Sequence, residues 1–319
     1  MTLGVARNPH ATNVADRLLA VAERLGVPAR VIDLPSLGLS VQPHGDVTVA
    51  DEQGPVAVSS LAPYLLFGFP AAVHALRALE RGGYAQNPVD GVLRADDKAA
   101  TAQCLAQAGV AQVRTEICGA DPGQVAAAAA RIGYPVVVKR THGAQGRWVR
   151  RAAEPAALAA ALAELAADGP GAVVVQAEVT ESAGRSVRAV ITGGQLLAVT
   201  ERAAAAREWR SNIAGGAAQH RVELTGGERA LVLSAARAVG LGHAGVDLLR
   251  TRHGPRVLEV NSCPDFTSMQ PYYGEDLAEA VLRASLERGP SPGSRPAPRP
   301  VRERRDDDQL ESDRRHDDH

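Results

Sequence analysis

Residues 243–261, HAGVDLLRTRHGPRVLEVN, read as strand, turn, strand, with the apolar runs parted at His253-Gly254-Pro255. Side chains two apart on a strand share a face. Glu259 and Asn261 therefore lie together, and hairpin pairing would let Asp247 join them. The plain account is an edge strand with one wet face. Three oxygen donors without a thiolate or imidazole also suit Mg²⁺ or Mn²⁺ better than zinc. Mg²⁺ commonly takes its remaining ligands from substrate phosphates, so the segment asks for a nucleotide site upstream.

The upstream sequence is organised for one. TLGVARNPHATNVADRLLAVAERLGVPARVIDL reads strand, loop, helix, strand. APYLLFGF reads as a buried strand and AAVHALRALERGG as a helix with a glycine stop. This alternation predicts a small parallel α/β domain over residues 1–90. A second region then begins with a helix capped by Asp96 or Asp97. ADPGQVAAAAARIGYPVVVKR gives Asp121 at an N-cap, Pro122 at the first helical position, and a strand after Gly133. We expect the second domain over 91–288, divided near 172–173. Residues 289–319 are Pro-rich and then charged with mixed sign, a composition expected to remain disordered.

Lys98 opens a helix after two acids, and a surface lysine would read the same way. Lys139 ends a strand of three valines just before THGAQG, where a phosphate clamp with a mobile lid is the sharper reading. Arg188, Arg202 and Arg210 each fit a wet sheet face. Together, near carboxylates, they would suit anion recognition.

GLGHAG at 240–245 matches G-x-G-x-x-G, but it follows a helix and precedes a strand, the reverse of a dinucleotide fingerprint. The chain has neither a Walker A sequence nor a G-x-S-x-G elbow. The net charge of −1 gives no electrostatic case for nucleic acid or membrane surfaces. No apolar run approaches ~20 residues, and the N-terminus lacks a signal-peptide pattern, so a cytoplasmic protein is expected. Three cysteines, Cys104, Cys118 and Cys263, suggest neither a disulfide framework nor a zinc site.

In order along the chain stand DDK, YPVVVKRTHGAQG, VVVQAEV, RSVRAVITGGQLLAVTER, WRSNIAGGA, AGVDLL and VLEVNSCPDF. From about Asp96 to Leu286 this set resembles an ATP-grasp ligase. The similar group contains the ribosomal-protein-S6 glutamate ligase and the lysine-biosynthesis ligase that acts on an amino-group carrier protein. The resemblance implies an ATP-grasp fold, two α+β subdomains clamping ATP, preceded by the small parallel domain. It implies contacts to ATP from Lys98, Lys139 and Gln176, a hinge at Ala177, Glu178 and Val179 that reads the adenine edge, and Ser186, Arg210, Ser211 and Asn212 nearby. Arg202 and Arg210 would serve catalysis, and Asp247, Glu259 and Asn261 would hold two Mg²⁺ (or Mn²⁺) ions. The implied reaction joins an amino acid, glutamate first, to a carboxylate- or amine-bearing acceptor through an acyl phosphate, in a homo-oligomer. A catalytically degenerate ATP-binding regulatory protein is the alternative. The sequence departs from the family's pattern at Ser186, where relatives carry an aspartate, at Ala177, and in NSCPDF. Arg188→Lys is expected to be milder than Arg210→Lys.

Overall fold

A computed structural model describes residues 1–9, 11–43, 46–66, 68–143, 148–166, 171–204 and 217–287. The order opens β1 (Leu3–Arg7), α1 (Thr12–Arg24), β2 (Ala29–Asp33), β3 (Gly38–Val41), β4 (Val47–Asp51), β5 (Gly54–Pro55), β6 (Ser60–Leu61), α2 (Ala72–Gly82) and β7 (Tyr84–Ala85). β2-β1-β6-β7 form the expected parallel sheet. The apolar stripe of α1, including Leu18, Val21 and Ala22, is buried.

Two features of this region differ from the sequence reading. β3-β4-β5 form a separate antiparallel sheet that was not anticipated. The described residues of APYLLFGF do not form a strand: pairing with β1 stops once Ala62 donates to the Gly4 carbonyl. Pro63 then has no N–H to continue the ladder, although Ala62, Tyr64 and Leu66 remain buried.

Next come α3 (Val89–Asp96), α4 (Lys98–Gln107), β8 (Thr115–Gly119), α5 (Pro122–Ile132), β9 (Val136–Arg140), β10 (Val149–Ala152), α6 (Pro155–Ala166) and β11 (Ala172–Ala177). Asp97 caps α4 by accepting from Ala99 and Ala100 N–H. Asp121 caps α5 by accepting from Gln124 N–H at 2.9 Å. The four strands form an antiparallel sheet in the order β10-β9-β11-β8. Val136, Val138, Val173 and Val175 face α5 and α6 in one core. By alternation, Val137, Lys139, Val174 and Gln176 take the other face.

The last part holds β12 (Arg185–Thr192), β13 (Gln195–Ala203), β14 (Ala218–Arg221), α7 (Gly226–Val239), β15 (Ala244–Leu249), β16 (Arg256–Asn261) and α8 (Leu277–Leu286). Its strands form an antiparallel sheet, β14-β13-β12-β15-β16. Thr225 and Glu228 make a reciprocal capping box on α7. Val187, Ala189, Val246, Leu248 and Val260 share a core with α7 residues. Their strand neighbours Ser186, Arg188, Asp247, Glu259 and Asn261 are left on the opposite face.

Candidate active site

The expected hairpin forms. β15 and β16 are antiparallel, with Gly245 opposite Asn261 and Asp247 opposite Glu259. The register shifts between Asp247 and Leu248, which lies opposite Val257. Leu258 is thereby the extra residue of a bulge.

Across β15, Asp247 faces Arg188 of β12. Arg188 donates through Nη2 to Asp247 Oδ2 at 2.5 Å and through Nε to Oδ1. Both residues are at most 8% exposed. Burial alone would raise the Asp247 pKa, but the charge and hydrogen bonds of Arg188, helped by Arg202 and Lys139, outweigh it and hold the carboxyl below its ordinary value. One strand further, Arg202 of β13 lies opposite Ser186. Its Nη1 comes to 4.0 Å of Asp247 Oδ1, while its buried Nε has no hydrogen-bond partner among the described residues. Burial, with Arg188 adding to it, pushes Arg202 down to about 10.

A polar band therefore runs across one face of this sheet: Arg202, Ser186 and Arg188, Asp247, then Glu259 and Asn261. With the Asn261 amide oriented to satisfy both neighbours, its nitrogen donates to Glu259 Oε1 at 3.0 Å. Its oxygen then accepts from Arg188 Nη2 at 3.3 Å.

The four-stranded sheet supplies the opposing wall. Lys98, Lys139, Gln176 and Glu259 line one cleft of about 360 Å³, open solvent included, with apolar walls from Ala102, Leu105, Val174 and Leu258. Lys139 is 7% exposed. Burial, reinforced by Lys98, pushes its ammonium down to about 8, against the opposing pull of Glu259 and Asp247. Lys98 is anchored by Nζ donation to the Gly143 carbonyl at 2.8 Å. At the end of β11, Ala177 and Glu178 N–H donate to the Arg114 and Pro135 carbonyls. The Glu178 carboxylate accepts from Arg151 Nε at 2.6 Å. Val179 follows at the turn into residues 180–182.

Of the predicted residues, Lys98, Lys139, Gln176 and Glu259 lie in the cleft, Ser186, Arg188, Arg202, Asp247 and Asn261 on the band, and Ala177, Glu178 and Val179 at and just past the end of β11. Glu259 belongs to both cleft and band. Arg210, Ser211 and Asn212 lie outside the described residues. Val174 and Leu258, which with Ala102 and Leu105 give the cleft its apolar walls, carry no site signal on a plain reading of the sequence. Val174 could have been found from its alternation with Gln176, but Leu258 could not, because only the bulge brings it beside Glu259.

The donor set fits a hard divalent cation in chemistry: two carboxylates on adjacent strands and, with the Asn261 amide turned so that its oxygen replaces its nitrogen beside Glu259, an amide oxygen. Among the described residues no group of three or more His, Cys, Asp or Glu is arranged to hold a metal. Arg188 already holds both oxygens of Asp247, so a cation would share that carboxylate with a guanidinium.

Two antiparallel sheets enclosing such a cleft define an ATP-grasp protein. The ligase PsnB, solved with a minimal precursor, has this fold: it superposes with a TM-score of 0.67 at 19% identity over 89% of this chain and 97% of PsnB. The profile of the RimK-like ATP-grasp domain matches residues 95–285, and the chain belongs to that family. A protein of Xanthomonas axonopodis pv. citri (strain 306) named probable alpha-L-glutamate ligase is 36% identical over 212 residues, 65% of this chain and 70% of the relative. One of the same name from Xanthomonas euvesicatoria pv. vesicatoria (strain 85-10) is 32% identical over 84% of this chain and 91% of its own length. The chain is accordingly an ATP-dependent ligase. ATP-grasp ligases use ATP and Mg²⁺, and PsnB has also been solved with Mg and ADP. Among the described residues no helix is long and apolar enough to cross a membrane.

Proposed function

We propose that the enzyme activates a carboxylate as an acyl phosphate and passes it to an amine, with an amino acid, glutamate first, as one of the joined molecules. The acceptor is a peptide, a carrier protein or a small peptide-like molecule. The observation that carries this reading is the meeting of a basic, apolar-walled cleft with a band of two buried arginines and three oxygen donors, of which Asp247 is buried and Glu259 and Asn261 half-buried.

In this reading Val174 and Leu258 flank the adenine. With the Ala177 and Glu178 N–H groups already committed to Arg114 and Pro135, Val179 is the hinge residue assigned to read its edge. Lys98 and Lys139 face the phosphates. Asp247, Glu259 and Asn261 hold Mg²⁺, as one ion or two, and the bound metal would neutralise phosphate charge. Arg202, buried and with no partner for its Nε among the described residues, offers a donor to the substrate carboxylate, with Arg210 assigned to the same task. Two anions must approach for the carboxylate to attack the γ-phosphate, and these cations offset their repulsion. Ser186, in place of the family's aspartate, narrows the acidity of this region.

We also propose units at 1–90 and 91–288, in a cytoplasmic homo-oligomer. Within the second unit, the expected division at 172–173 would cut β11 from the sheet in which it pairs with β8 and β9. The limit belongs after it, at 177–179.

The test screens the twenty amino acids, singly and in pairs, for stimulated ADP release. Stimulation by glutamate or aspartate supports the reading. A response only to neutral or basic amino acids would overturn the acidic-substrate assignment.

A further inference from the structure

GLGHAG, dismissed as a dinucleotide fingerprint, has a structural employment that leads to a residue outside the matched family segment. Gly242 N–H donates to the Gln86 carbonyl at 3.1 Å. A Cβ on Gly242 would lie 2.5 Å from that oxygen, so only glycine permits the approach. The segment between β7 and α3 is thus pressed backbone to backbone against the entrance of the β15–β16 hairpin.

The next residue, Asn87, is 1% exposed. Its Nδ2 donates to the carbonyls of His243 and Ser262, both at 2.7 Å. Its Oδ1 accepts from His243 N–H at 2.8 Å. His243 immediately precedes β15, and Ser262 immediately follows Asn261 at the end of β16. One side-chain amide therefore ties together the two chain ends of the hairpin at the end that carries Asn261. Gln86 is fixed in turn: its Nε2 donates to Thr192 Oγ1 at 2.7 Å, and its Oε1 accepts from Ser285 Oγ at 3.1 Å.

We infer that Asn87 is a positioning residue for the metal-binding end of β16, holding the backbone beside Asn261 so that its amide oxygen and Glu259 meet a cation in fixed geometry. The inference rests on the proposed metal assignment. Groups that orient metal ligands typically contribute about 10–100-fold to metal affinity. No other side chain matches this set of partners at this size. Alanine leaves two carbonyls and one N–H without their partner, and aspartate turns an oxygen toward two carbonyl oxygens.

ADP affinity is measured calorimetrically with and without Mg²⁺ for wild type, Asn87→Ala, Asn87→Asp and Glu259→Gln. The Asn87 variants should lose about tenfold of the Mg²⁺-dependent tightening, with metal-free ADP affinity within about twofold of wild type. Full Mg²⁺-dependent tightening in Glu259→Gln overturns the metal assignment, and the inference with it. Its loss in Glu259→Gln but not in the Asn87 variants, or an equal loss of metal-free affinity in the latter, overturns the inference alone. Should neither Asn87 variant fold, hydrogen exchange on the wild type decides. The His243 amide should exchange several-fold more slowly when Mg²⁺ is added to the ADP complex, since coupling between the sites is reciprocal, and an unchanged rate overturns the inference.

Discussion

Arg188 and Asp247 face each other on neighbouring strands, and a single guanidinium holds both oxygens of the carboxylate. Lysine offers a point charge and no planar fork. Arg188→Lys should therefore leave the buried Asp247 half satisfied and cost about 1–3 kcal/mol. The sequence expectation, that Arg188→Lys is milder in activity than Arg210→Lys, is a separate matter; the cost in stability arises because the strand pairing makes Arg188 a bidentate partner. Chemical denaturation checks it; a loss below about 0.5 kcal/mol would contradict it.

Glu259 reaches both the cleft and the polar band. Glu259→Gln keeps the shape and removes the charge that a divalent cation would meet. ADP release should fall by about a hundredfold or more with an unaltered melting temperature. Near-normal turnover would end the metal assignment.

Lys139 titrates at about 8 because burial opposes its charge. A lysine that meets phosphate as a cation loses that role as pH rises through this value. Nucleotide affinity should drop about tenfold from pH 7 to pH 9, and Lys139→Met should flatten the profile. Stability of the ligand-free protein moves the other way. Between about 8 and the ordinary 10.5 the unfolded chain holds a proton that the folded chain has released, so stability rises with pH across that window. A variant with the wild-type pH profile in both measurements would refute the placement.

His243 is fully buried, with neither ring nitrogen hydrogen-bonded among the described residues and the Phe266 ring edge-on at 6.1 Å. Burial pushes it down to about 3. Above its ordinary value of 6.5 the ring is neutral in both states and contributes no pH dependence. Below it the unfolded chain takes up a proton that the folded chain refuses, so stability falls as pH falls toward 3. The slope approaches about 1.4 kcal/mol per pH unit. Denaturation at pH 7 and pH 5 should show a smaller acid loss for His243→Phe than for wild type, and equal losses would rule the effect out.

Much of this was legible where local chemistry acts alone. Asp121 and Pro122 announced α5, and His253-Gly254-Pro255 announced the hairpin turn. Three valines announced that Lys139 would be buried. What the sequence did not disclose depends on partners distant along the chain. Arg188 finds Asp247 only through the β12–β15 register, and Asn87, standing before Pro88, reads as an ordinary turn residue until β15 and β16 are packed against it. The β3–β5 sheet was missed because its short strands lie among Gly, Pro and polar residues. Arg210, Ser211 and Asn212 fall outside the described residues and keep the roles implied by resemblance alone.

The single extra residue at Leu258 also says something about how such a site can be altered. In a regular strand a hydrophobe and a carboxylate adjacent in sequence point opposite ways, and one wall cannot carry both. The bulge suspends that rule for one step. Deleting Leu258 would give a more ideal sheet and a poorer binding wall, so a redesign that scored only backbone regularity would improve the scaffold and erase the enzyme.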